Sequence, residues 1–426
     1  MTENASMTEN AIMAEKAIMG HPTLTEFEDA AEMLREVIVH TPLEDSEHLS
    51  DVLGAPVHLK LENLQRTGSF KIRGAVYRLS RLTPEEMARG VVAASAGNHA
   101  QGVALAAQKL GIPATIFMPL GVPVPKLLAT RGYGAEVILE GATVETPLRL
   151  AAEFAERTGA ILIPPYDHRD IIIGQGTLGL ELMDEVPGLD TLVVGIGGGG
   201  LIAGVAAAVK ARAAAQGRTV RVIGVQAENS AAYPASLAAG RPLEVATTPT
   251  IADGIAVARP GDIPFEIIRD LVDEVVTVTD DDIARALLVL LERAKQVVEP
   301  AGAVGVAAIL AGKVQASGPT VAILSGGNID PLLLQRVVAH GLAASGRYMT
   351  LQVPLPDRPG QLARVSELLA IAGANVIEVL HTRHGQGMQI SEVILQLSVE
   401  TRGEEHRAQV ISILQDAGYE PRVVRD

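Results

Sequence analysis

One lysine of the chain has a position that suits covalent chemistry. In residues 67–74 (TGSFKIRG), Lys71 follows Ser69, a candidate helix N-cap, by two positions. This spacing predicts that Lys71 lies in the first turn of a helix, where the helix dipole disfavours an ammonium and favours a neutral amine. A neutral amine can form a Schiff base with a carbonyl compound. A solvated lysine without chemical function is the alternative, so the interpretation depends on the surroundings of Lys71.

Three polar loops each follow a predicted strand. Residues 95–102 (SAGNHAQG) precede a helix, and their free backbone N–H groups could hold a carboxylate, although an ordinary capped turn is an equal alternative. Residues 195–200 (GIGGGG) are glycine at five of six positions, so their amides can close around a phosphate. Residues 325–328 (SGGN) offer a hydroxyl beside two glycines. Because ligands of open α/β sheets bind at the carboxyl ends of strands, the three loops can meet around one small ligand.

The glycine-rich loop also satisfies the dinucleotide pattern G-x-G-x-x-G. A dinucleotide site would need an acidic residue about 20 residues further on, at the end of the next strand. Glu228 ends that strand, but it follows Gly200 by 28 residues, which is a long spacing. A dinucleotide-binding oxidoreductase therefore stays open as a less favoured alternative to a monophosphate site.

The elements that position these loops alternate between β-rich runs and helical patterns. This order is typical of an α/β fold with a mostly parallel sheet covered by helices. The predicted strands are residues 91–95, 114–118, 136–139, 161–164, 192–196, 220–227, 274–279 and 320–325.

The last part of the chain has a different pattern. Residues 348–426 predict the ferredoxin-like order βαββαβ, in a separate domain joined near residues 340–347. At the other end, the sequence MTENA occurs twice within residues 1–20, which we interpret as a disordered tail.

Composition excludes several classes of function. The 35 basic and 50 acidic residues leave a formal charge of −15, which opposes binding to nucleic acid or anionic lipid. The chain has no Cys, as expected for a cytoplasmic protein, and it shows no signal-peptide pattern. Residues 192–209 are uncharged and long enough for a membrane span, but a strand, a glycine turn and an Ala-rich helix explain them better. We expect neither a nucleic-acid nor a membrane partner.

Taken together, SFKIRGA, SAGNHAQG, GIGGGG and SGGN resemble the fold-type II pyridoxal-phosphate enzymes, in particular their threonine ammonia-lyase group. Three further segments also resemble this family: LENLQ (residues 61–65), IADG (251–254) and VEPAG (298–302). The resemblance implies a catalytic domain over residues 21–345, built from two open, twisted α/β subdomains with the smaller one at about 65–160. Residues 348–426, with DRPG after their first strand, resemble an ACT domain, which is a small-molecule sensor.

The resemblance also implies roles for single residues. Lys71 would bind pyridoxal phosphate as a Schiff base and later act as general base, with Phe70 packed against the cofactor. Asn98 would bond the 3-hydroxyl, and Ser325 would bond the pyridine nitrogen, where a neutral hydroxyl favours direct loss of a β-hydroxyl. The phosphate would be held by Gly197, Gly198, Gly199, Gly200 and Leu201. The substrate carboxylate would be held by Ser95, Ala96, Gly97, Asn98 and His99.

The implied reaction is deamination of L-threonine to 2-oxobutanoate, and of L-serine to pyruvate, in isoleucine biosynthesis. A serine racemase is the related alternative, but its second acid/base serine corresponds here to Ala96. The metal site of the racemase needs a carboxylate at each of two positions. Glu228 occupies the first, but Pro234 occupies the second and has no ligand atom in its side chain, so we expect no metal. A non-catalytic amino-acid sensor is the remaining hypothesis.

The ACT-like domain predicts regulation by an amino acid, with isoleucine or valine as the expected effectors, and a homodimer or homotetramer. An alternative is that the domain only makes contacts within an oligomer. The candidate effector residues are Asp357, Gly360, Gln361, Leu362, Asn375 and Ile377.

Overall fold

The computed structural model describes residues 20–383 and 392–424, which form two compact units, one ending at Asp330 and the other beginning at Pro331. Of the predicted tail over residues 1–20, only Gly20 lies within the described residues.

The first unit contains ten strands and thirteen α-helices among its described residues. The strands are β1 (Leu43–Asp45), β2 (Val57–Lys60), β3 (Val91–Ala94), β4 (Ala114–Met118), β5 (Glu136–Leu139), β6 (Ile161–Leu162), β7 (Thr191–Gly195), β8 (Arg221–Ala227), β9 (Glu274–Val278) and β10 (Thr320–Ile323). The helices are α1 (Leu24–Leu34), α2 (Glu47–Leu53), α3 (Lys71–Ser80), α4 (Pro84–Arg89), α5 (Asn98–Leu110), α6 (Val124–Gly132), α7 (Glu145–Thr158), α8 (Arg169–Glu185), α9 (Gly200–Ala215), α10 (Ala232–Ala239), α11 (Asp262–Leu271), α12 (Asp280–Val289) and α13 (Pro300–Leu310).

The strands form two sheets. The larger has the order β1-β2-β10-β7-β8-β9, and only its edge pair β1–β2 is antiparallel. The smaller is a parallel sheet of order β5-β4-β3-β6, whose strands all lie between β2 and β7 in the chain. Strands β3 and β4 are buried along their whole length, as expected for apolar strands covered by helices.

The predicted α/β fold class is confirmed, and all eight predicted strands are present with ends shifted by two residues at most. Strands β1 and β2 were not predicted. The three residues of β1 include Glu44 and Asp45, and β2 ends in the buried Lys60, so neither strand has a continuous apolar run.

Residues 192–209 form most of β7, a glycine turn and the first part of α9, as predicted. None of the helices in the described part of the chain combines the length and the apolar character that a bilayer span requires.

The second unit contains α14 (Pro331–Ala344), β11 (Tyr348–Pro356), α15 (Gln361–Ile371), β12 (Asn375–Thr382), β13 (Glu392–Glu400), α16 (Glu404–Asp416) and β14 (Arg422–Val424). Its antiparallel sheet has the order β12-β13-β11-β14. Apolar residues alternate along β11 and β13 and are buried, including Leu351, Val353, Leu395 and Leu397. The predicted βαββαβ order is confirmed.

Buried ion pairs hold the helix that begins with Lys71. Arg73 forms a two-pronged ion pair with Glu62, with both distances at 2.8 Å, and contacts Glu181 of α8 at 2.6 Å. The ammonium of Lys60 binds Glu185 at 2.8 Å and Glu181 at 3.1 Å. Arg73, Glu62 and Lys60 are fully buried. The network therefore ties α3 to β2 and α8 from inside the core.

We predict that Glu62→Gln strongly destabilises the first unit, because Arg73 would keep a buried charge with a weaker set of partners. The expected loss is about 3–5 kcal/mol, as for other broken buried ion pairs. The control is Glu153→Gln, which breaks an exposed pair with Arg149 and should change stability by less than about 1 kcal/mol. Urea denaturation monitored by circular dichroism measures both. Equal midpoints for the two variants would contradict the prediction.

Candidate active site

The loop before α3 positions Lys71. Lys71 is the first residue of the helix, and Phe70 precedes it without a side-chain cap. Ser69 has an extended backbone and pairs with Gly326 in an isolated β-bridge. The predicted N-cap role of Ser69 is therefore wrong, because backbone pairing replaces it. The Ser69 hydroxyl is buried and has no hydrogen-bond partner among the described residues.

The Lys71 amine points into the interior. Its Nζ donates a hydrogen bond to the carbonyl oxygen of Pro165 at 2.9 Å and lies 5.2 Å from the centroid of the Phe70 ring. Burial lowers the pKa of the amine from 10.5 to about 8, while the negative charge of Glu299 acts in the opposite direction. At mildly alkaline pH much of the amine is therefore neutral and nucleophilic.

Two neighbours fix the side-chain amide of Asn98. Its Nδ2 donates to Glu299 Oε1 at 2.5 Å, and its Oδ1 accepts from Nδ2 of Asn328 at 2.8 Å. Asn328 also donates to the carbonyl oxygen of Thr67, at 2.6 Å. The second Nδ2 hydrogen of Asn98 therefore has a fixed direction and is left for another acceptor.

The loop after β10 packs directly on the lysine loop. The Phe70 N–H donates to the Ser325 carbonyl oxygen at 3.1 Å, and the Gly327 N–H donates to the Gly68 carbonyl oxygen at 2.9 Å. A Cβ on Gly326 would collide with the Glu299 carboxylate, so only glycine fits between them. The loop thereby joins Ser325 to the segment that carries Lys71.

The glycine turn over residues 197–200 connects β7 to α9 beneath aromatic rings. A Cβ on Gly198 would collide with the Tyr166 ring, and one on Gly199, which has a φ of +101°, would collide with the Tyr233 hydroxyl. That hydroxyl donates to the Gly198 carbonyl oxygen at 3.1 Å. In the described part of the chain, the N–H groups of the first three glycines donate no main-chain hydrogen bond. They are open to an anion at the start of a 16-residue helix.

The loop after β3 carries no net charge of its own. The Ser95 hydroxyl accepts a hydrogen bond from the Gly97 N–H at 3.1 Å. His99 donates through Nε2 to the Ile163 carbonyl oxygen at 2.9 Å. Burial, helped by the positive charge of Lys71, lowers the pKa of His99 to about 3, so the imidazole is neutral. His99 therefore anchors the loop and cannot supply a positive charge to a substrate.

These contacts bring the predicted residues Lys71, Asn98 and Ser325 into one cluster. Tyr166, which covers the glycine turn, directly follows Pro165, the acceptor for the Lys71 amine. Glu228 and Pro234 are exposed, and no hydrogen bond or ion pair joins either of them to this cluster among the described residues.

The sequence analysis assigned no role to Glu299 or Asn328, although both lie in quoted motifs. An acidic residue inside the apolar run VVEPAGA was a usable signal, because a charge in such a run is buried and needs a specific partner.

The comparisons with known proteins agree with this geometry. Residues 34–326 match the family of pyridoxal-phosphate dependent enzymes, and residues 349–418 match the ACT domain. The chain therefore belongs to the pyridoxal-phosphate dependent enzymes and carries a C-terminal ACT domain.

Three similar proteins indicate which members of the family this chain resembles. An L-threonine ammonia-lyase of Thermotoga maritima is 47% identical over 403 residues, which cover 94% of this chain and 99% of that protein. The processed form of threonine deaminase isoform 2 from Solanum lycopersicum superposes with a TM-score of 0.70 and 37% identity, over 74% of this chain and 93% of that chain. Maize serine racemase gives a TM-score of 0.70 and 36% identity, over 76% and 99% of the two chains.

The predicted family and its cofactor, pyridoxal phosphate, are thus confirmed. The structure fits this group: it has a buried amine with a lowered pKa, a turn of open amides suited to a phosphate, and an oriented Asn98 amide.

We predict that Schiff-base formation between Lys71 and added pyridoxal phosphate rises with pH around a midpoint near 8 in the cofactor-free enzyme, since only the neutral amine reacts. Glu299→Gln should lower the midpoint further, because the Glu299 charge raises the pKa of Lys71. The measurement is the initial rate of appearance of the visible absorbance against pH. Glu153→Gln serves as the matched, exposed control and should keep the native midpoint. An unchanged or raised midpoint in Glu299→Gln would contradict the prediction.

Proposed function

We propose that this chain is an ammonia-lyase that deaminates L-threonine to 2-oxobutanoate and ammonia, and also L-serine to pyruvate. The observation that carries the proposal is the chain of hydrogen bonds Glu299–Asn98–Asn328, which joins the loops of Lys71, Asn98 and Ser325 around a lysine amine that can be neutral. The 47% identity to an L-threonine ammonia-lyase supports the choice of substrate.

The proposed cofactor contacts follow from the groups that remain free. Lys71 would bind the cofactor through its amine, with Phe70 beside it, and the second Nδ2 hydrogen of Asn98 would donate to the 3-hydroxyl oxygen. The Ser325 hydroxyl would bond the pyridine nitrogen. When bound, pyridoxal phosphate supplies an electron sink for negative charge at the substrate α-carbon. The phosphate would be held by Gly197, Gly198, Gly199, Gly200 and Leu201.

The proposed substrate contacts involve the loop after β3 and the reactive lysine. The loop residues Ser95 to His99 receive the substrate carboxylate at the start of α5, where the first N–H groups of a helix are free. The Lys71 amine, neutral at mildly alkaline pH, accepts the α-proton at Nζ as a general base. The β-hydroxyl then leaves as water, taking the proton that Nζ had accepted. The released enamine becomes an imine, and water hydrolyses it to the 2-oxo acid and ammonia.

Racemisation is the competing reaction, since the fold is also similar to that of maize serine racemase. Racemisation needs a proton donor on the second face of the substrate. Ala96 lies in the loop at the position where a donor would be needed, and its methyl group has no proton to give. The side chain at residue 96 therefore favours elimination.

We further propose that isoleucine or valine regulates the enzyme through the second unit, as suits a role in isoleucine biosynthesis. Leu362 and Ile377 are 41% and 55% exposed, so their apolar surface is available to an aliphatic effector. Asn375 is bonded to Glu400 at 3.0 Å. The other proposed effector residues are Asp357, Gly360 and Gln361.

The remaining assignments accompany this function. We propose a catalytic domain over residues 21–345 and a regulatory domain over 348–426, assembled as a homodimer or homotetramer in the cytoplasm. Light scattering on the purified protein tests the assembly.

We predict that the purified protein is yellow and converts L-threonine to 2-oxobutanoate, and that Lys71→Ala is colourless and at least about 10²–10⁴-fold slower. The exposed Lys109→Ala variant is the matched control and should keep both properties. Visible spectra and assays for 2-oxobutanoate, pyruvate and D-serine measure the outcome. D-serine as the main product from L-serine would favour the racemase, and a colourless protein without turnover after cofactor addition would favour the sensor.

We predict that isoleucine or valine changes the threonine saturation curve, and that Leu362→Lys raises the half-effective concentration at least about tenfold, because a charge replaces apolar contact. Ile371→Lys is the control, since it alters an exposed apolar residue of the same helix outside the proposed site. Initial rates at several effector concentrations test this. If native enzyme does not respond to either amino acid, the regulatory proposal fails and a contact-only role for the domain is favoured.

A further inference from the structure

We propose that Lys126 is a substrate-binding residue whose buried ammonium neutralises the carboxylate of the amino acid. This inference rests on the proposed function, because it concerns the same loop over residues 95–99. No sequence motif drew attention to Lys126, and its position becomes informative only in the folded chain.

The fold places Lys126 beside that loop. Strands β3 and β4 are parallel neighbours, with Ala94 opposite Phe117, so the segments that follow them leave the sheet at the same edge. The loop after β3 is the proposed carboxylate loop. The segment after β4 leads into α6, and Lys126 lies in the first turn of that helix.

The Lys126 ammonium lies close to Gly97. A Cβ placed on Gly97 would be 3.7 Å from the Lys126 Nζ, which is the distance of an ordinary contact. Burial raises the pKa of Glu299, the residue that fixes Asn98, and the positive charge of Lys126 acts in the opposite direction. The ammonium therefore faces the space bounded by the loop and by Glu299.

This ammonium lacks a full counter-charge. Lys126 is only 8% exposed, yet its Nζ donates no hydrogen bond among the described residues. Its one ion pair in that part of the chain is with Asp253 at 3.9 Å, beyond hydrogen-bond distance, and the Asp253 side chain is 60% exposed. A buried charge without a close partner is unfavourable. The first turn of a helix adds to this cost, because the helix dipole disfavours a positive charge there.

A substrate carboxylate would supply the missing charge. The loop itself offers only neutral groups, since His99 is uncharged and the Gly97 N–H is bonded to Ser95. Lys71 is already assigned to the cofactor and to proton transfer. The loop amides and the Lys126 ammonium would hold the carboxylate together. Its negative charge would then offset the positive charge of Lys126, which acts as a point charge.

The test compares Lys126→Met with Lys109→Met, an exposed lysine on α5, using cofactor-loaded enzyme. The probes are propanoate, which has only the carboxylate, and isopropanolamine, which is threonine without its carboxylate. We expect Lys126→Met to weaken propanoate binding and raise KM for threonine by about 10–100-fold, with isopropanolamine binding and the visible spectrum unchanged. Lys109→Met should behave like native enzyme. Unchanged propanoate binding, or equal weakening of both probes, would overturn the assignment.

Two further variants keep the inference testable if Lys126→Met does not load cofactor. Lys126→Arg keeps the positive charge and should retain the affinity for propanoate within a few-fold. Asp253→Asn removes the carboxylate that competes with propanoate for Lys126, so it should raise the affinity for propanoate. Weaker propanoate binding in Asp253→Asn would count against the assignment.

The propanoate titration needs no turnover. A native enzyme that binds propanoate through Lys126 but leaves threonine intact would refute the proposed function and keep this assignment.

Discussion

The need to compensate buried charge governs the interior of the first unit. Arg73 and Glu62 are fully buried and compensate each other, and Lys60 is compensated by Glu181 and Glu185. Lys71 has no such partner, and its amine loses proton affinity in response. Compensation of buried charge thus explains both the rigid ion pairs of Arg73 and the nucleophilic amine of Lys71, two residues away. Strong pairing of Arg73 holds the helix, and weak pairing of Lys71 makes its amine reactive.

The hydrogen bonds of Asn98 join groups that the chain brings from distant positions. Asn98 begins the helix after a strand of the small sheet, whereas Asn328 follows the last strand of the large sheet and Glu299 precedes α13. An amide has one acceptor and one donor group, so pairing it at both ends leaves a single orientation. Packing alone would not select that orientation, because the two ends of an amide have nearly the same shape. The orientation matters because only the Nδ2 end can donate to a hydroxyl oxygen of a ligand.

The sequence predicted eight of the ten strands of the first unit, the βαββαβ unit and the main site motifs, because apolar periodicity and glycine-rich turns are local signals. Prediction from the sequence failed where contacts between distant residues determine the role of a side chain. Ser69 has the side chain of an N-cap, but its backbone pairs with Gly326, some 250 residues away in the chain. Lys126 gave no signal at all, since its burial depends on how a helix of the small sheet covers a neighbouring loop. Charge compensation among distant residues is visible only once the fold is known.

This arrangement also limits how an effector can act on the enzyme. Asn98 contacts Glu299 at 2.5 Å and Asn328 at 2.8 Å, and hydrogen bonds weaken steeply beyond about 3.5 Å. A displacement of the small sheet by about 1 Å relative to the large sheet would therefore disturb both bonds. An effector needs only to favour one of two closely similar arrangements, and the free energy available is its difference in affinity for the two. Regulation of this site thus requires differential binding, and it does not require a large movement.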